Sequence, residues 1–155
     1  MLQRIQSIYL LFAALVVAAL FIFPLVHDVY VDGQSVTIKI SGIYTYVNGQ
    51  AQQVRAFMPL TIATVFVALI PLAIIFMYRD RKTQIMLCYG AMGIILAYSY
   101  WVSTSVKNAI GGADLQMSNY GIGIILLSLA IFLIIFAQKS IQKDEKLVKS
   151  ADRLR

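Results

Sequence analysis

Reactive side chains are scarce in this chain, and their types and spacing limit the chemistry it can do. There is one histidine, His27, one cysteine, Cys88, and seven carboxylates in 155 residues. A lone cysteine excludes an intramolecular disulfide and a CxxC redox pair, and with a single histidine it cannot complete a zinc ligand set. No metal or cofactor site is predicted. Cys88 falls inside an apolar run, where a thiol reads as a small buried hydrophobe. His27 stands where another apolar run ends and reads as an interfacial polar residue. Asp28, Asp32 and Asp114 could gather on one side of the molecule. Each also occupies a turn or helix boundary that favours Asp, so none is assigned a catalytic role. No phosphate-binding loop, dinucleotide fingerprint or internal repeat is present. The sequence is read as a non-enzyme.

Hydroxyl groups are the remaining chemistry. Thr61, Thr64, Ser99, Ser103, Thr104 and Ser128 could line a polar path for a small solute. Hydroxyls on apolar helices more often bond back to their own helix or to a neighbour, and that is the expectation here. The apolar runs hold no Asp, Glu, Lys, Arg or His. Ionisable residues inside a membrane usually mark ion paths, so their absence weighs against a proton-coupled transporter.

The elements that carry these residues follow from hydropathy. Sixty percent of residues are hydrophobic and the mean hydropathy is +0.79, too apolar for an ordinary soluble domain. Four runs are long enough to cross a bilayer: 5–26, 57–78, 84–106 and 119–138. The first reads as a retained helix rather than a signal peptide, because it is too long and no small-x-small site follows Pro24. Pro71 is expected to kink the second run. Gly90, Gly93 and Ala97 form a small-residue face on the third, Ala14 and Ala18 on the first, and Thr61, Thr64 and Ala68 on the second, all suited to close helix approach.

Between the first two runs, 27–56 changes rhythm. Val36, Ile38 and Ile40 alternate with polar residues as in a half-buried strand. Asp32-Gly33 and Asn48-Gly49 are two-residue hairpin signals, and Ile43–Val47 reads as a further strand. The predicted fold class is an all-α membrane protein: one domain, 1–155, built as a four-transmembrane-helix bundle. A small extracytoplasmic β-hairpin or sheet cap sits between helices 1 and 2.

The net charge of +6 gives a pI near 9.6, but its distribution argues against nucleic acid. Arg4, Arg79, Arg81, Lys82 and the lysines and arginines of the tail, 139–155, lie on one side of the runs. Lys39, Arg55 and Lys107 lie on the other. The positive-inside rule then places both termini in the cytoplasm of a bacterial inner membrane.

Extended as a helix, the tail sets Leu147, Ala151 and Leu154 on one face beside Val148, with basic residues over the remainder. Its KDEKLV and SADR segments (143–148 and 150–153), with the QRIQ opening (3–6) followed by Tyr9 and Leu10, carry a resemblance. They are similar to the termini of an uncharacterised Bacteroidetes family of short four-helix inner-membrane proteins, a domain of unknown function. The basic turn with Gln84 after it also fits. The resemblance implies the fold and the inner membrane, and implies no activity.

The distinctive polar residues therefore gather at the cytoplasmic ends. Gln3, Arg4, Gln6, Arg79, Arg81, Lys82, Lys143, Asp144, Glu145, Lys146, Asp152 and Arg153 form a candidate docking face for lipid headgroups, another membrane complex or a second copy. Ion pairs of Arg4 or Arg79 with Asp144, Glu145 or Asp152 are expected there. The function expected is that of an accessory, scaffold or assembly factor. A small-solute carrier or channel is the alternative, and a lipid- or quinone-modifying enzyme the third reading.

Overall fold

A computed structural model describes residues 3–31, 34–47, 50–77, 80–111 and 116–152. The chain opens with helix α1 (Gln3–Ala18), which tightens into a 3-10 turn at Ala19–Phe21. Strands β1 (Val26–Val31), β2 (Gln34–Lys39), β3 (Gly42–Val47) and β4 (Gln50–Ala56) follow. Helices α2 (Met58–Phe76), α3 (Arg81–Ile110) and α4 (Ile122–Asp152) complete it.

The all-α class is corrected by the sheet. Four strands pair antiparallel in the order β1-β2-β3-β4, a full layer in the middle of the chain rather than a small cap on a helical bundle. Val31 pairs with Gln34 and Val47 with Gln50, so two residues separate the strands at each hairpin. The Asp32-Gly33 and Asn48-Gly49 dipeptides that were to make these turns lie outside the described residues. Val36, Ile38 and Ile40 are buried as their alternation predicts, while Thr37 between them is buried as well.

The count of four spanning helices is corrected too. Met58–Phe76, Arg81–Ile110 and Ile122–Val148 are long and apolar enough to cross a membrane, whereas the first apolar helical stretch, Ile5–Phe21, is shorter. Pro24 gives the reason, since it disfavours helical backbone at the residue before it and cannot donate an amide hydrogen bond. Leu25 then donates its amide to the Ile38 carbonyl at 2.9 Å, and Val26 pairs with Ile38. The last residue assigned to the first span thus belongs to the sheet, and the one before it is already bonded to β2.

Helix α1 packs against both α2 and α4. Leu10, Ala13, Val17 and Leu20 are fully buried along it. The core continues into the inner face of the sheet through Leu25, Val26, Val29 and Ile38. By contrast the outward surfaces of the helices carry large apolar side chains, among them Leu15, Phe66, Leu96 and Phe132. Water would oppose that much exposed apolar area, and lipid would not. The face formed by Gly90, Gly93 and Ala97 also points outward, so within this chain it does not serve the close approach its composition suggested. Helix α2 runs on through Pro71, which is buried.

Long-range contacts fix which residues share an end. At the sheet end the start of α4 is bound to the chain around Pro24. The Gly121 amide donates to the Leu25 carbonyl at 2.8 Å and the Gly123 amide to the Pro24 carbonyl at 3.0 Å. Tyr120 bridges to Val26, and Asn119 Nδ2 donates to the His27 and Asp28 carbonyls. Asp28 adopts φ 53°, a left-handed conformation that Asp tolerates, at the irregularity between Val26 and Val29 in β1. Helix α3 ends at Gly111 in the left-handed conformation that closes helices. Midway, the hydroxyls of Thr64 on α2 and Tyr98 on α3 meet at 2.5 Å.

Candidate functional site

At the end away from the sheet, the turn between α2 and α3 is built around Asp80. Its carboxylate accepts from the amides of Lys82 and Thr83 at 3.1 and 3.3 Å, and the Thr83 hydroxyl donates to it at 2.6 Å. Two of the orphan amides of the first turn are thereby satisfied. The Thr83 hydroxyl and amide, with help from Lys82, hold the Asp80 carboxyl below the usual carboxylate range. Beyond the charge of this basic turn, the Asp-x-x-Thr spacing at 80–83 marks where α3 begins.

A buried polar layer lies just inside this turn. Gln84, 1% exposed, donates its side-chain amide to the carbonyl of Ile74 in the last turn of α2 at 3.3 Å. Gln6 on α1 and Gln138 on α4 are buried as well, and Asp144 on α4 is 8% exposed. The Arg81 guanidinium donates to the Asp144 main-chain carbonyl at 3.4 Å, which fixes α3 against α4. The rings of Tyr9 and Phe136, 6.0 Å apart, fix α1 against α4. Among the described residues, Gln6 Oε1, Gln84 Oε1 and Asp144 Oδ1 are buried without hydrogen-bond partners.

Over this layer runs the exposed face. A groove of about 520 Å³ lies between α3 and α4, lined by Lys82, Ile85, Gln142, Glu145 and Lys146. Lys143 is exposed beside it. Helix α4 continues unbroken from its apolar segment to Asp152, so the tail is helical as expected. Leu147 is 49% exposed and Val148 is exposed next to it, an apolar strip flanked by Lys143 and Lys146.

The predicted docking face is therefore only partly a surface. Lys82, Lys143, Glu145 and Lys146 meet there, with Arg81 half-buried at its base. Gln6 and Asp144 are inside, because the helices that carry them turn those positions into the packed interior. Gln3 and Arg4 open α1 and Asp152 closes α4, without described side chains, while Arg79, Arg153 and Leu154 lie outside the described residues. Their expected ion pairs with Asp144 and Glu145 fall outside as well. What sequence reasoning missed is the polar layer: three glutamines near the ends of apolar runs, at 6, 84 and 138, were its signal.

Four of the six hydroxyls bond back to their own helix as expected: Thr61 donates to the Phe57 carbonyl, Thr64 to Leu60, Ser99 to Leu96, and Thr104 to Tyr100 and Trp101. Ser103 and Ser128 make no such bond among the described residues. Of the outward acidic residues, Asp28 is described, with its carboxylate 3.0 Å from His27 Nδ1. Asp32 and Asp114 lie outside the described residues.

Three helices able to cross a membrane, a shorter apolar helix and a four-stranded sheet define a mixed α and β protein of membrane character. Its family follows from comparison. The chain belongs to the family described as Domain of unknown function (DUF4293), which matches residues 2–154. No curated protein matches it.

Proposed function

We propose that this protein is a multi-pass protein of a bacterial inner membrane, with the α3 start and the α4 tail in the cytoplasm. It serves there as a non-enzymatic accessory or assembly factor that docks another membrane protein. The observation that carries this reading is the groove between Lys82 and Lys146, walled by two ordered helices and continued by the apolar strip at Leu147 and Val148. Basic rims beside exposed apolar residues suit an amphipathic or acidic partner segment at a membrane surface. The excess of Lys and Arg at this end supports the orientation. The terminal motifs support a Bacteroidetes origin.

Photocrosslinking residues placed at Lys82 and Lys146 in cells are expected to capture a discrete membrane protein, and one at Val54 on the sheet is not. Lys82→Glu with Lys146→Glu is expected to abolish the crosslink without lowering the amount of protein in the membrane. Crosslinks equally strong at Val54, or unaffected by charge reversal, would refute the reading.

A further inference from the structure

At the opposite end a second cleft opens between α3 and α4, with a volume of about 330 Å³. The start of α4 is bound to Pro24 and Leu25, and farther along it Arg81 of α3 donates to the Asp144 carbonyl. Small side chains on the facing surfaces, Ser99 and Ser103 on α3 and Ser128 on α4, leave the gap unfilled. The remaining wall is almost wholly aliphatic. Among the described residues, Lys107 at the mouth is the one charged side chain that lines it.

The dimensions of the cleft match part of a bilayer. Its α3 wall runs from Lys107 to Leu96, and its other wall from Tyr120, just ahead of α4, along α4 to Ile131. The α3 wall covers eleven residue steps, roughly 16 Å at the α-helical rise. Half of a hydrocarbon core about 30 Å thick is roughly 15 Å. The cleft thus has the depth of one leaflet, with its cation and Tyr120 at the level of the headgroups. Ser103 sits one turn, about 6 Å, below Lys107, the depth of glycerol ester carbonyls. Among the described residues its hydroxyl and that of Ser128 have no partner, whereas Ser99 is satisfied by its own helix.

We infer that this cleft is a binding site for one anionic glycerophospholipid of the leaflet on the sheet side. Lys107 pairs with the phosphate, Ser103 donates to an ester carbonyl, and one acyl chain fills the aliphatic cleft down to Leu96 and Ile131. A zwitterionic lipid would fit the same cleft and lack the net charge that Lys107 attracts. The inference rests on the membrane reading but not on the docking face, which lies at the other end of the same helices.

The test uses the full chain, delipidated in mild detergent, with phosphatidylglycerol and phosphatidylcholine of identical acyl chains as probes in native mass spectrometry. One retained phosphatidylglycerol is expected, held about fivefold or more tightly than phosphatidylcholine. Lys107→Gln is expected to erase that preference, and Ser128→Phe to fill the cleft and remove binding of both. Lys82→Glu with Lys146→Glu is expected to change neither. Equal binding of the two lipids, a preference that survives Lys107→Gln, or one lost only on changing Lys82 and Lys146 would overturn the assignment. Should Ser128→Phe fail to fold by circular dichroism, the Lys107→Gln comparison decides alone.

Discussion

The amide of Gly123 donates to the carbonyl of Pro24 at 3.0 Å, joining the first turn of α4 to the residue at which the chain leaves α1. A residue that cannot continue a helix thereby supplies the acceptor that begins another one about a hundred positions later. The approach is close because neither partner at positions 121 and 123 carries a side chain. A Cβ on Gly121 would overlap the Pro24 carbonyl, and one on Gly123 would come within 2.7 Å of it.

Gly123→Ala is therefore expected to destabilise the protein by about 1–3 kcal/mol, since the atom in the way is backbone and cannot swing aside. Gly93→Ala is the control. Nothing lies within 4 Å of a Cβ there, and the change favours helix by up to about 1 kcal/mol. Thermal unfolding in detergent should move down for the first and not down for the second.

The hydroxyls of Thr64 and Tyr98 give a second test. Thr64 already donates to the Leu60 carbonyl, so the Tyr98 hydroxyl is the donor between them. Tyr98→Phe removes a donor and leaves Thr64 bonded, at a cost of about 1 kcal/mol or less. Thr64→Val strands a buried phenol and should cost more. In a double-mutant cycle the combined variant should be more stable than the sum of the two losses.

Asp80 predicts an acid limit. Its carboxyl titrates below the ordinary aspartate range in the folded protein, through the Thr83 hydroxyl first and the Thr83 and Lys82 amides after it. The folded state thus holds the proton less tightly than the unfolded one. The stability this confers is complete above the unfolded pKa and disappears as pH falls through the lower folded pKa. Asp80→Ala should lower the melting temperature by the same amount across neutral pH. The difference from the parent should shrink once the pH drops below the ordinary aspartate value.

Gln6 offers the reverse effect. Its buried Oε1 has no partner among the described residues, and leucine has nearly the same volume. Gln6→Leu should raise stability by about 1 kcal/mol. Gln84→Leu should gain less, because it also gives up the hydrogen bond to Ile74. Chemical unfolding of the two variants side by side separates them.

Hydropathy located α2, α3 and α4 because an apolar run without charges has few alternatives. It overran at the first helix, where Leu25 and Val26 are as apolar as a span requires but their backbones pair with β2. Alternation at 36–40 identifies a strand, whereas β4, exposed along its whole length, carries no such pattern and is announced only by the Asn48-Gly49 turn signal before it. The basic residues of the docking face were visible as charge. Whether Gln6 and Asp144 face solvent or the interior depends on helix rotation, which contacts such as Tyr9 with Phe136 decide and no local pattern encodes. The junction of Gly123 with Pro24 is invisible for the same reason.

Helix α4 spans 31 residues without a break, from its fixed start at Pro24 to Asp152. At about 1.5 Å per residue it is a rod of roughly 46 Å, and a tilt of about 5° at the sheet end moves the tail by roughly 4 Å. A displacement at the Pro24 junction would therefore reach Lys146 through one continuous helix rather than through a loop.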